Sequence, residues 1–211
     1  MQDALTMASI QHVLYRNVDR VGAACLSFPC NTLGAMITST EGLFRQTIYW
    51  PLQMLAQCFQ GEVVDCYVAG PTFTCHHPRT FPGIVDVDEG GQEIENAAQR
   101  ELMMAFENLP YLDACATYDR PSRRLSLSVV NRHETEAIET HVQILGATVR
   151  GTKRIGGACG QQLTAASVKV ENSLDQPDSV CPAPIEELKV TNDFRIVFPA
   201  RSHTVFYLDA E

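Results

Sequence analysis

Two hydrophobic periods divide this chain, changing over near residue 62. Before it, Met7, Ile10, Val13 and Leu14 recur every three or four residues behind Asp3, a side chain suited to an N-cap. The spacing predicts a helix that Asn17 and Asp19 end. Val21-Gly22-Ala23-Ala24-Cys25-Leu26 follows as an apolar run of strand length without polar alternation. Such a run suits a strand covered on both faces, as in parallel α/β sheets, and its small residues suit a crowded barrel interior. Thr47 to Phe59 reads as a second helix, with Leu52, Leu55, Ala56 and Phe59 as its apolar stripe and Gly61 as its stop. Pro51 falls in its first turn, where a missing N–H matters little. Helix, buried strand, helix is a piece of a βα array, and one strand cannot make a sheet. Residues 1–61 are therefore expected to fold back on the rest of the chain, to self-associate, or to move.

From Glu62 onward the period is two. Leu125, Leu127 and Val129 alternate with Ser126 and Ser128; Ile138, Thr140, Val142 and Ile144 alternate with Glu139, His141 and Gln143. Phe194, Ile196 and Phe198 follow, and Thr204 to Leu208 is β-branched and aromatic. Turn signals separate the runs: Asp119-Arg120-Pro121-Ser122, Asn131 to Glu134, Gly156-Gly157 and Asn192-Asp193. Short alternating strands with turns between them predict an antiparallel β-sandwich over 62–211. Residues 76–108 interrupt it as an expected insertion: a loop rich in His, Pro, Asp and Gly, then helical spacing of Ile94, Ala98, Leu102, Ala105 and Phe106.

Composition narrows the partners. With 45% hydrophobic residues, the 211-residue chain can bury a core, and its net charge of -9 opposes binding to nucleic acid or to an anionic membrane. A neutral sugar is compatible with that charge. No apolar run spans a bilayer, and the opening MQDALTMASIQHVLY lacks the basic start of a secretory signal, which leaves the compartment open.

Eight cysteines include no CxxC pair, so they read as small buried hydrophobes. Cys75-His76-His77 reads as a loop, because three adjacent side chains diverge, and no metal or other cofactor is expected. Asp86, Asp88, Glu89, Glu93, Glu95, Glu101 and Glu107 read as the solvated face of the insertion, not as a catalytic pair. No GxSxG elbow exists, the six histidines show no partnered spacing, and His203 reads as a surface or edge residue before the last strand.

Three segments together carry a resemblance. They are DALTMASIQHVLYRNVDRVGAACL with NTLGAMITSTEGLFRQTIYWPLQML, then LPYLDACATYDRPSRRLSLSVVNRHETEAIE, then ENSLDQPDSVCP with the closing FPARSHTVFYLDA. Their order and spacing resemble the C-terminal half of the α-L-arabinofuranosidases of glycoside hydrolase family 51. The DRV start and the GLFRQTIYWP block are the most specific parts, and the match leaves out roughly 76–108.

The resemblance implies a mostly β fold. A C-terminal, jelly-roll-like antiparallel β-sandwich would follow the last helix-strand-helix of a (β/α)8 TIM barrel. It also implies a retaining glycosidase that releases terminal arabinofuranosyl units from arabinose-containing oligo- or polysaccharides without a cofactor. One glutamate protonates the leaving oxygen and a second attacks the anomeric carbon, about 5 to 5.5 Å away. In the family pattern the acid/base follows Gly-Asn and the nucleophile sits in Asp-Glu-Trp. Here no Asn-Glu follows a Gly, and Tyr49 precedes the only tryptophan, Trp50. Both glutamates are thus expected upstream of Met1, and the chain alone is expected to be inactive.

Ser27, Phe28 and Asn31, just after Val21–Leu26, are the expected substrate-binding residues, since strand ends line the active face of such a barrel. Phe28 either stands where the family carries a sugar-binding glutamine or packs under the loop with the register shifted by a residue or two. Two other readings remain: a non-catalytic sandwich module that binds carbohydrate or a partner, and half of a split enzyme whose barrel comes from another chain. A homo-oligomer is a further possibility.

Overall fold

The computed structural model describes residues 1–75 and 106–211. They form two compact units, one of Met1–Val68 with Leu112–Glu211, the other of Ala69–Tyr111.

The larger unit opens with α1 (Gln2–Arg16), a hairpin of β1 (Met36–Thr38) and β2 (Leu43–Arg45), α2 (Tyr49–Cys58) and β3 (Glu62–Val64). The smaller unit holds β4 (Thr72–Cys75) and β5 (Phe106–Pro110), paired antiparallel with Phe73 opposite Leu109. Phe73 and Tyr111 pack ring on ring there, with centroids 4.8 Å apart. Most of the expected insertion lies outside the described residues; Phe106 and Glu107, expected to end its helix, belong to β5.

The chain then builds β6 (Leu112–Asp119), β7 (Arg124–Asn131), β8 (Ile138–Gln143), β9 (Val149–Thr152), β10 (Gly160–Leu163), β11 (Ala183–Ile185), β12 (Asp193–Phe198) and β13 (Ser202–Ala210). Seven strands make the main sheet, in the order β11-β10-β13-β7-β6-β3, with β9 also on β13. The β6–β7 hairpin closes through a turn at 120–123, where Arg123 takes a left-handed φ of 54°. β8 and β12 form a separate antiparallel ribbon. The fold is thus mostly β and antiparallel, and the alternating runs read from the sequence are β7, β8, β12 and β13.

Period two on the main sheet gives two buried faces. Ala116, Leu125, Leu127, Val129, Phe206 and Leu208 point toward the ribbon, where Phe194 and Phe198 meet them. The opposite face presents Cys115, Val130, Val205 and Tyr207 to Met1, Ala4, Leu5 and Ala8 of α1 and to Trp50, Met54, Leu55 and Cys58 of α2. Residues 1–61 therefore do fold back on the strands. Each large apolar side chain buried there is worth about 1.5–3 kcal/mol.

Gly61 turns the chain from α2 into β3. Its φ is +85°, and a Cβ there would lie 2.2 Å from the Tyr118 carbonyl oxygen, so only glycine fits.

Three local expectations change. Val21–Leu26 forms no ladder among the described residues, and all but half-buried Val21 are exposed. An apolar run becomes a strand only where neighbours accept its main-chain bonds, and among the described residues no strand pairs with it. The buried face of α2 is Trp50, Met54, Leu55 and Cys58, a shift from the expected stripe that leaves Ala56 exposed. His203 is not an edge residue: it lies within β13, in the middle of the sheet, fully buried beneath α1.

Candidate functional site

The loop after Val21–Leu26 is held by its own backbone. The amide of Asn31 donates to the Met36 carbonyl (2.7 Å), Gly34 donates to Asn31 (2.7 Å), and Met36 donates to Pro29 (3.3 Å). Asn31 and Thr32 take left-handed φ values of 57° and 50°, which turn the chain back toward β1. The Asn31 carboxamide is spent on that turn: its oxygen accepts from the Thr38 amide at 2.8 Å, and its nitrogen donates to the Thr38 hydroxyl at 3.0 Å. Ser27 is exposed, and Phe28 is 54% exposed, so it does not pack under the loop.

Below this loop, the Arg45 guanidinium lies over the rings of Tyr49 and Trp50, 5.3 and 5.4 Å from their centroids. Asn172 clips the same segment to the sandwich. Its side-chain nitrogen donates to the carbonyls of Arg45 and Val180, and its oxygen accepts from the Val180 amide at 2.7 Å.

The second constellation escaped the sequence. On the helix-facing side of the sheet, β6 contributes Asp113, β7 Ser128 and β13 His203; α1 lays His12 across them. His12 Nδ1 lies 3.1 Å from Asp113 Oδ2, and His12 Nε2 lies 2.7 Å from Ser128 Oγ. Ser128 Oγ also lies 2.8 Å from His203 Nε2. Arg16 and Arg132 close on the same carboxylate at 2.8 and 3.0 Å. Burial alone would raise the Asp113 carboxyl; hydrogen bonds from His12 and Arg16 and the charge of Arg132 outweigh it and hold it at about 2. Burial pushes His203 down to about 3.

Carboxylate, imidazole and hydroxyl stand here in the order of a nucleophile triad. The array cannot act as one, because Ser128 is fully buried and a second imidazole occupies the side of its hydroxyl that a substrate would need. The only trace in the sequence is the serine alternation of β7, which becomes informative once a helix covers that face.

Among the described residues no group of three or more His, Cys, Asp and Glu could hold a metal, and no helix is long and apolar enough to cross a membrane. His76, His77 and the acidic run from Asp86 to Glu101 lie outside the described residues.

The family model described as the alpha-L-arabinofuranosidase C-terminal domain matches residues 1–202. A relative from Aspergillus flavus, called "Probable alpha-L-arabinofuranosidase C", is 24% identical over 80% of this chain and 28% of its own length. An "intracellular exo-alpha-(1->5)-L-arabinofuranosidase" from Streptomyces lividans is 26% identical over 88% of this chain and 23% of its own length. The chain thus spans about a quarter of these relatives. The solved GH51 alpha-L-arabinofuranosidase of Thermotoga petrophila shares the fold with a TM-score of 0.72 at 22% identity, over 97% of this chain and 37% of that one.

Proposed function

We propose, since the chain belongs to the alpha-L-arabinofuranosidase C-terminal domain family, that it is the non-catalytic C-terminal part of a retaining arabinofuranosidase. The parent enzyme releases terminal α-L-arabinofuranosyl units from arabinose-containing polysaccharides. On this reading residues 1–61 are the closing helix-strand-helix of a barrel, and 62–211 are the sandwich.

The observation that carries the proposal is the apolar run Val21–Leu26, which is exposed after half-buried Val21 and forms no ladder among the described residues. Ile10, Val13 and Val18 are exposed beside it in the chain. A barrel completed by further strands would cover such a run on both sides. Those strands come from a longer form of this polypeptide or from a separate chain. Phe28 would then offer its ring to the sugar and Ser27 its hydroxyl, while Asn31 shapes the loop.

Two measurements on the purified chain test this. Hydrolysis of an aryl α-L-arabinofuranoside is expected to stay at the buffer blank; turnover above it overturns the non-catalytic assignment. Amide resonances are then followed while arabinose is added. Changes confined to residues 27–31 support the sugar-facing loop, and changes confined to the sandwich strands favour a carbohydrate-binding module instead.

A further inference from the structure

The hold of α1 on the sheet is thin in apolar terms. Its buried residues are Ala4, Leu5, Ala8 and His12, so two of the four are alanines, and Ile10 and Val13 face solvent. The sandwich core lies on the other side of the sheet and shares no residue with this contact. What distinguishes the α1 contact is the polar array, whose proton inventory follows from its geometry.

Ser128 has one hydroxyl proton and two imidazole nitrogens within hydrogen-bond reach. Asp113 as a carboxylate can only accept, so His12 Nδ1 carries a proton and donates to it. With Ser128 donating to His12 Nε2, His203 must donate from Nε2 to Ser128, and its Nδ1 is a bare lone pair. With one proton more, His203 keeps its Nε2–H bond to Ser128, and the added hydrogen sits on His203 Nδ1. That nitrogen is buried and finds no partner among the described residues. Proton uptake therefore places an unanswered donor in the core.

We propose that the Asp113–His12–Ser128–His203 array is an acid-release latch for α1, in which a proton taken up on acidification unseats the helix from the sheet while the sandwich stays closed. The other ionisable groups facing the array do not oppose this. Arg16 from α1 and Arg132 after β7 already pair with Asp113, and the nearby Cys115 thiol is raised by burial and stays neutral. Docked, His203 holds this second ring proton only below about 3, against an ordinary 6.5, so the state with α1 undocked binds more protons between those limits. The docked state therefore weakens as pH falls through about 6.5 and has lost this contribution near 3.

Trp50, the only tryptophan, sits in the same cluster as the buried face of α1 and reports its departure. Its emission and the far-ultraviolet dichroism of the sheet are followed together from neutral to acid pH. In the parent chain the emission is expected to move to longer wavelength at a higher pH than the sheet signal changes. In His203→Gln, whose amide can still donate to Ser128 but does not titrate, that midpoint is expected to fall by more than about one pH unit. The proposal is overturned if both probes move together in the parent chain, or if the variant keeps the same midpoint. Should the variant not fold, the histidine Cε1–H resonances of the parent chain decide. His203 must titrate with the Trp50 transition, and titration with global unfolding overturns the latch.

Discussion

Replacing Asp113 by Asn keeps the shape of the side chain and removes the charge on which two guanidinium groups and the His12 N–H converge. Asp113 is 6% exposed, and Arg16, Arg132 and His12 all reach it. A carboxyl held at about 2 against an ordinary 3.8 contributes roughly 2–3 kcal/mol to folding at neutral pH, at ~1.4 kcal/mol per pH unit. Because the folded value is the lower one, that contribution is complete above 3.8 and disappears as pH falls through about 2. About 1 kcal/mol of it is gone by pH 3. Asn adds a further cost, since an amide nitrogen turned toward His12 Nδ1 would set donor against donor.

Urea unfolding of both proteins measures the difference. With a slope of about 2 kcal/mol per molar urea, the Asp113→Asn midpoint should drop by about 1 M or more at pH 7, and the gap should narrow at pH 3. A drop under roughly 0.3 M at pH 7, or a gap that does not narrow in acid, would refute the electrostatic account of how α1 is held.

Two further substitutions test local geometry. Gly61→Ala puts a Cβ 2.2 Å from the Tyr118 carbonyl at a φ of +85° and should cost at least about 1–3 kcal/mol, read as a fall in Tm of several degrees. Asn172→Ala strands the Arg45 and Val180 carbonyls and the Val180 amide; a loss of about 1–3 kcal/mol and faster proteolysis within residues 171–181 are expected, and an unchanged Tm would make the clip dispensable.

The sandwich was legible because its strands obey one rule. Leu125, Leu127 and Val129 alternate along β7 and fall on one face as read. The opposite face was not legible, since Ser126 and Ser128 look solvent-facing until two helices cover them. Ser126 donates to the Cys58 carbonyl at 2.9 Å, and Ser128 joins two histidines that lie far apart in the sequence. A buried polar network assembled from four elements leaves no spacing to recognise. Val21–Leu26 misled for the converse reason: apolar content records that a segment is meant to be covered, but not by what.

The central position of β13 bears on how the sheet forms in time. β6 and β7 close on each other through a short turn, so their pairing is local and fast. β13 instead joins β7 with Ser202 opposite Asn131, about 70 residues away, and β10 and β9 then have a strand to add to. Until that long loop closes, the apolar faces of β6 and β7 have neither ribbon nor helices over them, and an open strand edge awaits a partner. The rate-limiting step is therefore expected to be the arrival of β13, and the species preceding it is the one most exposed to aggregation.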